Sequence, residues 1–371
     1  MKMKRLLFVV LSAVIIGGLV LSGCAEPAPT PTPSSAPTTT QAPDKVTKLV
    51  FNNWGPPPEI GRSSQGFEDF ANAFEELTGG RYEVEVIHGG ALAGILESYD
   101  VVESGLADIS MFIAQDVDKP FKMTDVISLP WTQIPCDIAT KAWHEVKMAG
   151  YLDKEYSDVK LLYMFASASA DDLFMIDPIE SLADLQGVKI ATGGGSRQDL
   201  LKGIGAVPVF APPPEVYPML QKGIVSGVLS SGYGLTISHY DEFVKYLIEP
   251  MRLFRVAQVV AMNLDLYNSM PDDIKQVVDD MAADPKYALT SADSYTKEYA
   301  DILEGWLGTT GSIIQLNEED TATLESVCAE IFENWIADRE AEGWPAKEVV
   351  DLYYNSLKSL GVEKPALGYT P

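Results

Sequence analysis

The chain has 371 residues, 46% of them hydrophobic, which is enough to build one large domain or two ordinary lobes around real cores. Its 53 Asp and Glu outnumber 27 Lys and Arg, giving a formal charge of −26. That balance excludes nucleic-acid binding, which needs basic surface, and disfavours adhesion to anionic headgroups.

Lys2, Lys4 and Arg5 precede an uncharged apolar run from Leu6 to Val20. The run is short for a membrane span and suits the core of a signal peptide. It ends in Leu21-Ser22-Gly23-Cys24, which resembles the lipobox of bacterial lipoproteins. That resemblance implies a signal peptide over 1–23, cleavage before Cys24 and diacylglycerol on its thiol. The protein is then expected outside the cytoplasm, lipid-anchored to the outer face of the cell membrane. An uncleaved anchor, or an ordinary signal peptide with a chance cysteine, is the alternative. Without the three basic leader residues, 24 Lys and Arg face 53 acids, a charge of −29. Residues 24–45, almost all Pro, Thr, Ser and Ala, cannot bury a core and read as an extended, solvated tether.

Lys48 to Phe51 reads as a buried strand ended by Asn52-Asn53-Trp54-Gly55 and three prolines. Phe67, Phe70, Phe74 and Leu77 have helical spacing, stopped by Gly79-Gly80. Tyr82 to Ile87 alternates as a strand, and the glycine-rich turn Gly89 to Gly94 leads into a helix through Ser104. Ala107 to Phe112 is another strand, completing a β-α-β-α-β order that predicts a parallel sheet. The pattern restarts with strands at Val159 to Ala166 and Leu173 to Ile176, one helical turn at Ser181 to Leu185 and a strand at Val188 to Ala191. Thr192-Gly-Gly-Gly-Ser196 then opens a helix through Ile204, with Ser196 as the expected N-cap and Asp199 its partner. Val207 to Phe210, Pro214 to Lys222 and Gly227 to Ser230 read as strand, helix and strand, and the remainder from Pro271 as mainly helical. The fold class is therefore α/β. Two lobes, each a mostly parallel sheet with flanking helices, are expected to enclose one crevice at the carboxyl ends of their strands.

Cys136 and Cys328 have no CxxC partner, which argues against zinc and leaves a disulfide or two buried thiols. His88, His144 and His239 lie at no metal-ligand spacing, so no cofactor or metal is expected.

Seven landmarks now fall in order. They are Leu77-Thr-Gly-Gly-Arg-Tyr-Glu-Val-Glu-Val, Gly89-Gly-Ala-Leu-Ala-Gly94, Val102-Glu-Ser-Gly-Leu-Ala-Asp-Ile-Ser110, Leu129-Pro-Trp131, Asp184-Leu-Gln-Gly-Val-Lys-Ile190, Gly205-Ala-Val-Pro-Val, and Pro214-Glu-Val-Tyr-Pro-Met-Leu-Gln-Lys-Gly-Ile-Val-Ser-Gly227. Over roughly residues 46 to 340 the chain resembles the DctP-type substrate-binding proteins of TRAP transporters. The resemblance implies a periplasmic-binding-protein-like fold of type II kind, closing on one small molecule, with no catalysis, and delivering it to a membrane permease. It implies lobe I over 46–165 and about 256–300, and lobe II over 166–255. Helices over 301–362 are expected to pack across both lobes, before a tail at 363–371. Hinge strands are expected near Leu161–Phe165 and Val256–Asn263.

The chain departs from the family where the ligand carboxylate is usually clamped. Ala191 stands where an arginine is usual, and Ser167 to Asp172 lacks the second one. A guanidinium fork suits a carboxylate as no other side chain does. The expected ligand is therefore not a simple carboxylate held in the usual way. The candidate ligand-binding residues are Trp54, Trp131, Asp171, Asp172, Thr192, Gly193, Tyr217, Tyr233 and Asn263. Asp171 and Asp172 point to a neutral or cationic ligand, or to a metal ion; an exposed acidic pair is the plain alternative. Backbone amides at Gly193 to Ser196 are a second route to an anion. Arg62 could reach in, whereas Arg197 reads as a surface residue. Phe165 and Glu215 are further family positions. Two rival functions stand beside this one: a sensor subunit docking a receptor, and an extracytoplasmic hydrolase, for which no Gly-x-Ser-x-Gly or HExxH is present.

Overall fold

The computed structural model describes residues 45–117, 119–167 and 171–371. The expected signal peptide, Cys24 and all but the last residue of the tether lie outside the described residues. No described helix is long and apolar enough to cross a membrane.

The first half runs β1 (Thr47–Asn52), α1 (Gln65–Leu77), β2 (Tyr82–Ile87), α2 (Ser98–Glu103), β3 (Ile109–Ile113), α3 (Cys136–Met148) and β4 (Val159–Ala166). A second stretch holds β5 (Asp172–Met175), β6 (Lys189–Thr192), α4 (Ser196–Gly203), β7 (Val207–Phe210), α5 (Pro213–Gln221), β8 (Gly227–Ser230), α6 (Gly234–Ile237) and β9 (Tyr246–Glu249). The chain then follows β10 (Ala257–Asn263), α7 (Leu264–Ser269), α8 (Asp272–Ala283), α9 (Lys286–Leu307), β11 (Ser312–Gln315), α10 (Glu318–Ala341) and α11 (Ala346–Ser359).

Among the described residues the strands form two sheets, ordered β2-β1-β3-β10-β4 and β11-β9-β5-β8-β6-β7. The β-α-β segments give the parallel pairings expected of them, β1 with β2 and β3, and β6 with β7 and β8. Both sheets are mixed, because β10 runs antiparallel to β3 and β4, and β5 antiparallel to β8 and β9. The reversals come from the segments that pass between the sheets. β4 and β10 lie side by side, and the chain leaves β4 for the second sheet and returns from it into β10. There the two crossing segments stay zipped, with Ser167 N donating to Val256 O and an isolated bridge joining Asp171 to Phe254.

Helix α1 turns Phe67, Phe70 and Phe74 onto the first sheet, as its 3.6-residue spacing requires. Phe70 meets Phe51 and Tyr287 edge-on, at 6.4 and 5.4 Å between ring centres. Long α9 brings Tyr287 there and packs against α1 so closely that a Cβ on Gly66 would lie 2.8 Å from the Ser291 Cα. Gly66→Ala is therefore expected to force the two helices apart and cost about 1–3 kcal/mol in urea denaturation. An unchanged midpoint would mean that this contact is not tight.

In the second sheet Phe174 packs edge-on against Trp306 of α9 at 5.4 Å. Helix α10 packs on α4 and on α11, while α11 packs on α3. The last residues fold back on this layer: Ala366 bridges Trp131, and Tyr369 stacks on Phe332 at 4.7 Å. Cys136 and Cys328 are buried, unpaired thiols. Burial pushes Cys136 up to about 11 and Cys328 higher, so both stay protonated at neutral pH.

Candidate ligand cleft

A cavity of about 690 Å³ opens where the loops at the carboxyl ends of β1, β2, β3, β6, β7 and β8 converge. That volume suits a small solute, and the position is where α/β sheets place their ligands.

Trp54 enters on the loop after β1. Asn53 fixes this loop: its Oδ1 accepts from Gly55 N at 3.0 Å, and its Nδ2 meets Ser64 Oγ and His88 Nδ1, each at 2.9 Å. His88 is in turn held by Glu68 at 2.7 Å, so it serves as a structural strut. The Trp54 indole N–H is buried in the cleft wall with no hydrogen-bond partner among the described residues. Opposite, the Tyr233 hydroxyl donates to the Tyr295 carbonyl at 2.9 Å, and both rings line the cleft with centres 5.4 Å apart.

The polar end of the cleft is built by Arg197, Asp171, Asp116 and Gln258. Arg197 is not a surface residue: it is 6% exposed, on the first turn of α4 beside the inward-facing Leu200 and Leu201. Its Nη1 donates to Asp171 Oδ2 at 3.0 Å, and its Nη2 lies 4.0 Å from Asp116 Oδ1. Burial works against the Arg197 charge, but Asp171, Asp116 and Asp125 outweigh it. Burial likewise dominates at Asp171, pushing its carboxyl up to about 6, and raises Asp116. Arg197 Nη2 and Gln258 Oε1 are both buried without a hydrogen-bond partner among the described residues.

Gly193, at the end of β6, is the floor on which the guanidinium lies. A Cβ there would sit 2.6 Å from Arg197 Nη2 and 2.7 Å from its Cζ, whereas one on Gly194 would meet nothing within 4 Å. Gly193→Ala is expected to lift Arg197 off Asp171 and cost about 1–3 kcal/mol. Gly194→Ala is expected to stay within about 0.5 kcal/mol. Urea denaturation of the two variants checks the pair, and equal midpoints would contradict it.

The cleft gathers Trp54, Asp171, Thr192, Gly193, Tyr217 and Tyr233 from the nine sequence candidates. Thr192 is committed, since its Oγ1 donates to Leu229 O at 3.1 Å. Tyr217 sits at the rim with its hydroxyl on Glu242 at 2.7 Å. Three candidates are elsewhere. Trp131 is 1% exposed and walled in by Phe332 and Tyr353, its N–H on Val126 O at 2.7 Å; the C-terminal helices make it core. Asp172 points to the other face of β5, where Tyr299 donates to it at 2.6 Å and Arg252 lies 3.1 Å away. Adjacent strand residues face opposite ways, so Asp171 and Asp172 cannot act as a pair. Asn263 caps α7, accepting from Leu266 N at 2.9 Å and donating to Val102 O.

Other expectations also change. Arg62 is exposed and paired with Asp301 at 2.6 Å, outside the cleft. Phe165 is fully buried against Phe67 and Tyr295, and Glu215 is exposed. The N-cap of α4 is Gly195, at φ 71°, and Ser196 is its first helical residue. The capping box occurs instead at Ser181 and Asp184. The carbonyls of the Gly193–Gly194 turn are taken by Gln198 Nε2 at 3.2 Å and Arg197 Nε at 3.1 Å. No group of three or more His, Cys, Asp or Glu among the described residues could hold a metal ion. Asp116, Gln258 and Tyr295 were not singled out from the sequence.

Two α/β sheets joined by paired crossing strands around one cleft define the two-lobed class of solute-binding folds. Residues 58–338 match the family described as bacterial extracellular solute-binding protein, family 7, or DctP, and the chain belongs to that family. A curated relative, the uncharacterized protein YiiZ of Salmonella typhimurium, is 23% identical over 216 residues, 55% of this chain. The match spans 63% of that relative's length. A TRAP periplasmic solute-binding protein of Desulfovibrio salexigens superposes with a TM-score of 0.72 at 24% identity, covering 88% of this chain and 98% of the other. One from Bordetella bronchiseptica, solved with (R)- and (S)-mandelate, gives 0.75 at 19% identity, covering 85% and 99%.

Proposed function

We propose that this protein is the solute receptor of a TRAP-type transporter, held to the outer face of the membrane by lipid on Cys24. It binds one small molecule in the cleft between the sheets and hands it to a permease in the same membrane. The observation that carries the reading is the cleft itself: a cavity of about 690 Å³ at converging strand ends, lined by aromatic rings and by residues whose buried polar groups have no partners among the described residues. Buried polar groups are normally satisfied, so unpaired ones in an open cleft argue for a ligand that pairs them. The family membership and the small organic acid in the Bordetella bronchiseptica relative support the same use. The Pro/Thr tether keeps the receptor near its permease and raises its effective concentration there.

A solute that raises the melting temperature of the purified protein by mass action and is recovered unchanged supports this function. Turnover of that solute contradicts it. For the anchor, Cys24→Ser is expected to move the protein from the membrane fraction to the soluble one. Retention of the variant on the membrane would contradict lipidation at that residue.

A further inference from the structure

Resting on the solute-receptor reading, we infer that the cleft takes an amphoteric, amino-acid-like solute. Its acceptor oxygen lies against Arg197 and Trp54, its cationic nitrogen against Asp116 and Gln258, and its body is apolar. Three residues that line this one cavity each hold a buried polar atom without a hydrogen-bond partner among the described residues: two donors, Arg197 Nη2 and Trp54 Nε1, and one acceptor, Gln258 Oε1. A ligand that satisfies all three must both accept and donate. Charge then sets the sign of the donor. Arg197 faces two carboxylates, Asp171 at 3.0 Å and Asp116 at 4.0 Å; Arg255 also acts on Asp171, whereas Asp116 has only the more distant Arg197 as a charge partner among the described residues. A plain carboxylate would bring like charge beside Asp116 and offer no donor to Asp116 or to Gln258 Oε1. A plain cation would leave Arg197 Nη2 and Trp54 Nε1 buried without acceptors. The separation of Arg197 Nη2 from Asp116 Oδ1 is beyond a hydrogen bond, which leaves Asp116 able to accept from a bound ammonium. The aromatic rings of Trp54 and Tyr233 supply the apolar wall for the body.

Three probes separate the classes: mandelate, its isostere phenylglycine, and benzylamine, which is phenylglycine without the carboxylate. They are titrated into the full chain, purified in detergent, with melting temperature and calorimetry as readouts. Phenylglycine is expected to give the largest shift and to bind at least about tenfold more tightly than mandelate. Asp116→Asn is expected to erase that preference. Tighter binding of mandelate or benzylamine than of phenylglycine overturns the inference and leaves the receptor reading intact. If none of the probes shifts the melting temperature, the solute released on denaturing the protein is weighed by mass spectrometry. A molecule with both a basic nitrogen and an acid or carbonyl oxygen supports the inference, and an acid without a basic nitrogen overturns it. A protein that releases no solute and responds to no probe overturns both readings.

Discussion

Replacing Arg197 with methionine is expected to destabilise the protein by roughly 3–5 kcal/mol, because it takes the nearest counter-charge from the buried Asp171 and the partly buried Asp116. Asp171 is 1% exposed, and Arg197 Nη1 is 3.0 Å from it. Asp116 has Arg197 as its only charge partner among the described residues, and burial raises its pKa despite that partner. Methionine keeps most of the apolar stem, so the loss reports the missing charge more than a cavity. The loss is expected to shrink between pH 8 and pH 5, as Asp171 takes up a proton and no longer needs a counter-charge. Arg62→Met provides the contrast. Its pair with Asp301 is 64% and 58% exposed at the side chains, and its loss is expected to cost less than about 1 kcal/mol. Urea denaturation at the two pH values measures both. A loss below about 1 kcal/mol for Arg197→Met would show that the cleft carboxylates are solvated or neutral.

The second large effect is a rise in stability on acidification from pH 8 to pH 5. Burial is the leading cause at six carboxylates, Asp116, Asp125, Glu155, Asp171, Asp172 and Glu249, and all are shifted up. Asp171 is pushed from 3.8 to about 6, and Asp172 from 3.8 to about 7. A carboxyl with a raised folded pKa binds its proton more tightly in the native state. Its contribution is fully present below the unfolded value near 4 and is lost as pH rises through 6 to 7. At about 1.4 kcal/mol per unit, either group alone amounts to a few kcal/mol. Self-repulsion of a chain with formal charge −26 acts in the same direction. His144 and Lys147 oppose it, since burial lowers both pKa values and protonation then favours unfolding, but they are two groups against six. Asp172→Asn should flatten the profile. The amide oxygen can still accept from Tyr299, and Arg252 keeps Glu249 at 2.8 Å. A melting temperature that falls steadily from pH 8 to pH 5 would contradict the buried-carboxylate account.

Much of the fold could be read from hydrophobic period and turn residues. The β-α-β order through Ile113 and the run from β6 to β8 follow from alternation, helical spacing and glycine stops. The short edge strand β11 (exposed at three of its four residues) carries no burial pattern to betray it. The antiparallel crossing strands β4 and β10 are apolar along most of their length, so nothing local sets their direction; topology does.

The site divides in the same way. Trp54, Thr192, Gly193 and Tyr233 stand at strand ends, where chain position alone brings them to the crevice. Trp131 has similar local chemistry, but α10 and α11, more than 180 residues later in sequence, enclose it. The signal for Arg197 was present and unused. It precedes Leu200, Leu201 and Ile204 by three, four and seven residues, which puts it on the buried stripe of its helix. Asp116 also follows a strand end by three residues. Only one of two adjacent strand aspartates can face a cleft, so the Asp171–Asp172 pair could have been divided by alternation.

The most direct test is a crystal structure of the protein with the solute it retains through purification. The account predicts one small molecule in the cleft between the sheets. An acceptor oxygen should lie about 3 Å from Arg197 Nη2, and a nitrogen donor should lie within hydrogen-bond distance of Asp116 or Gln258. A solute seated outside this cleft, or one that meets Arg197 through a carboxylate and offers no donor to Asp116 or Gln258, would contradict it.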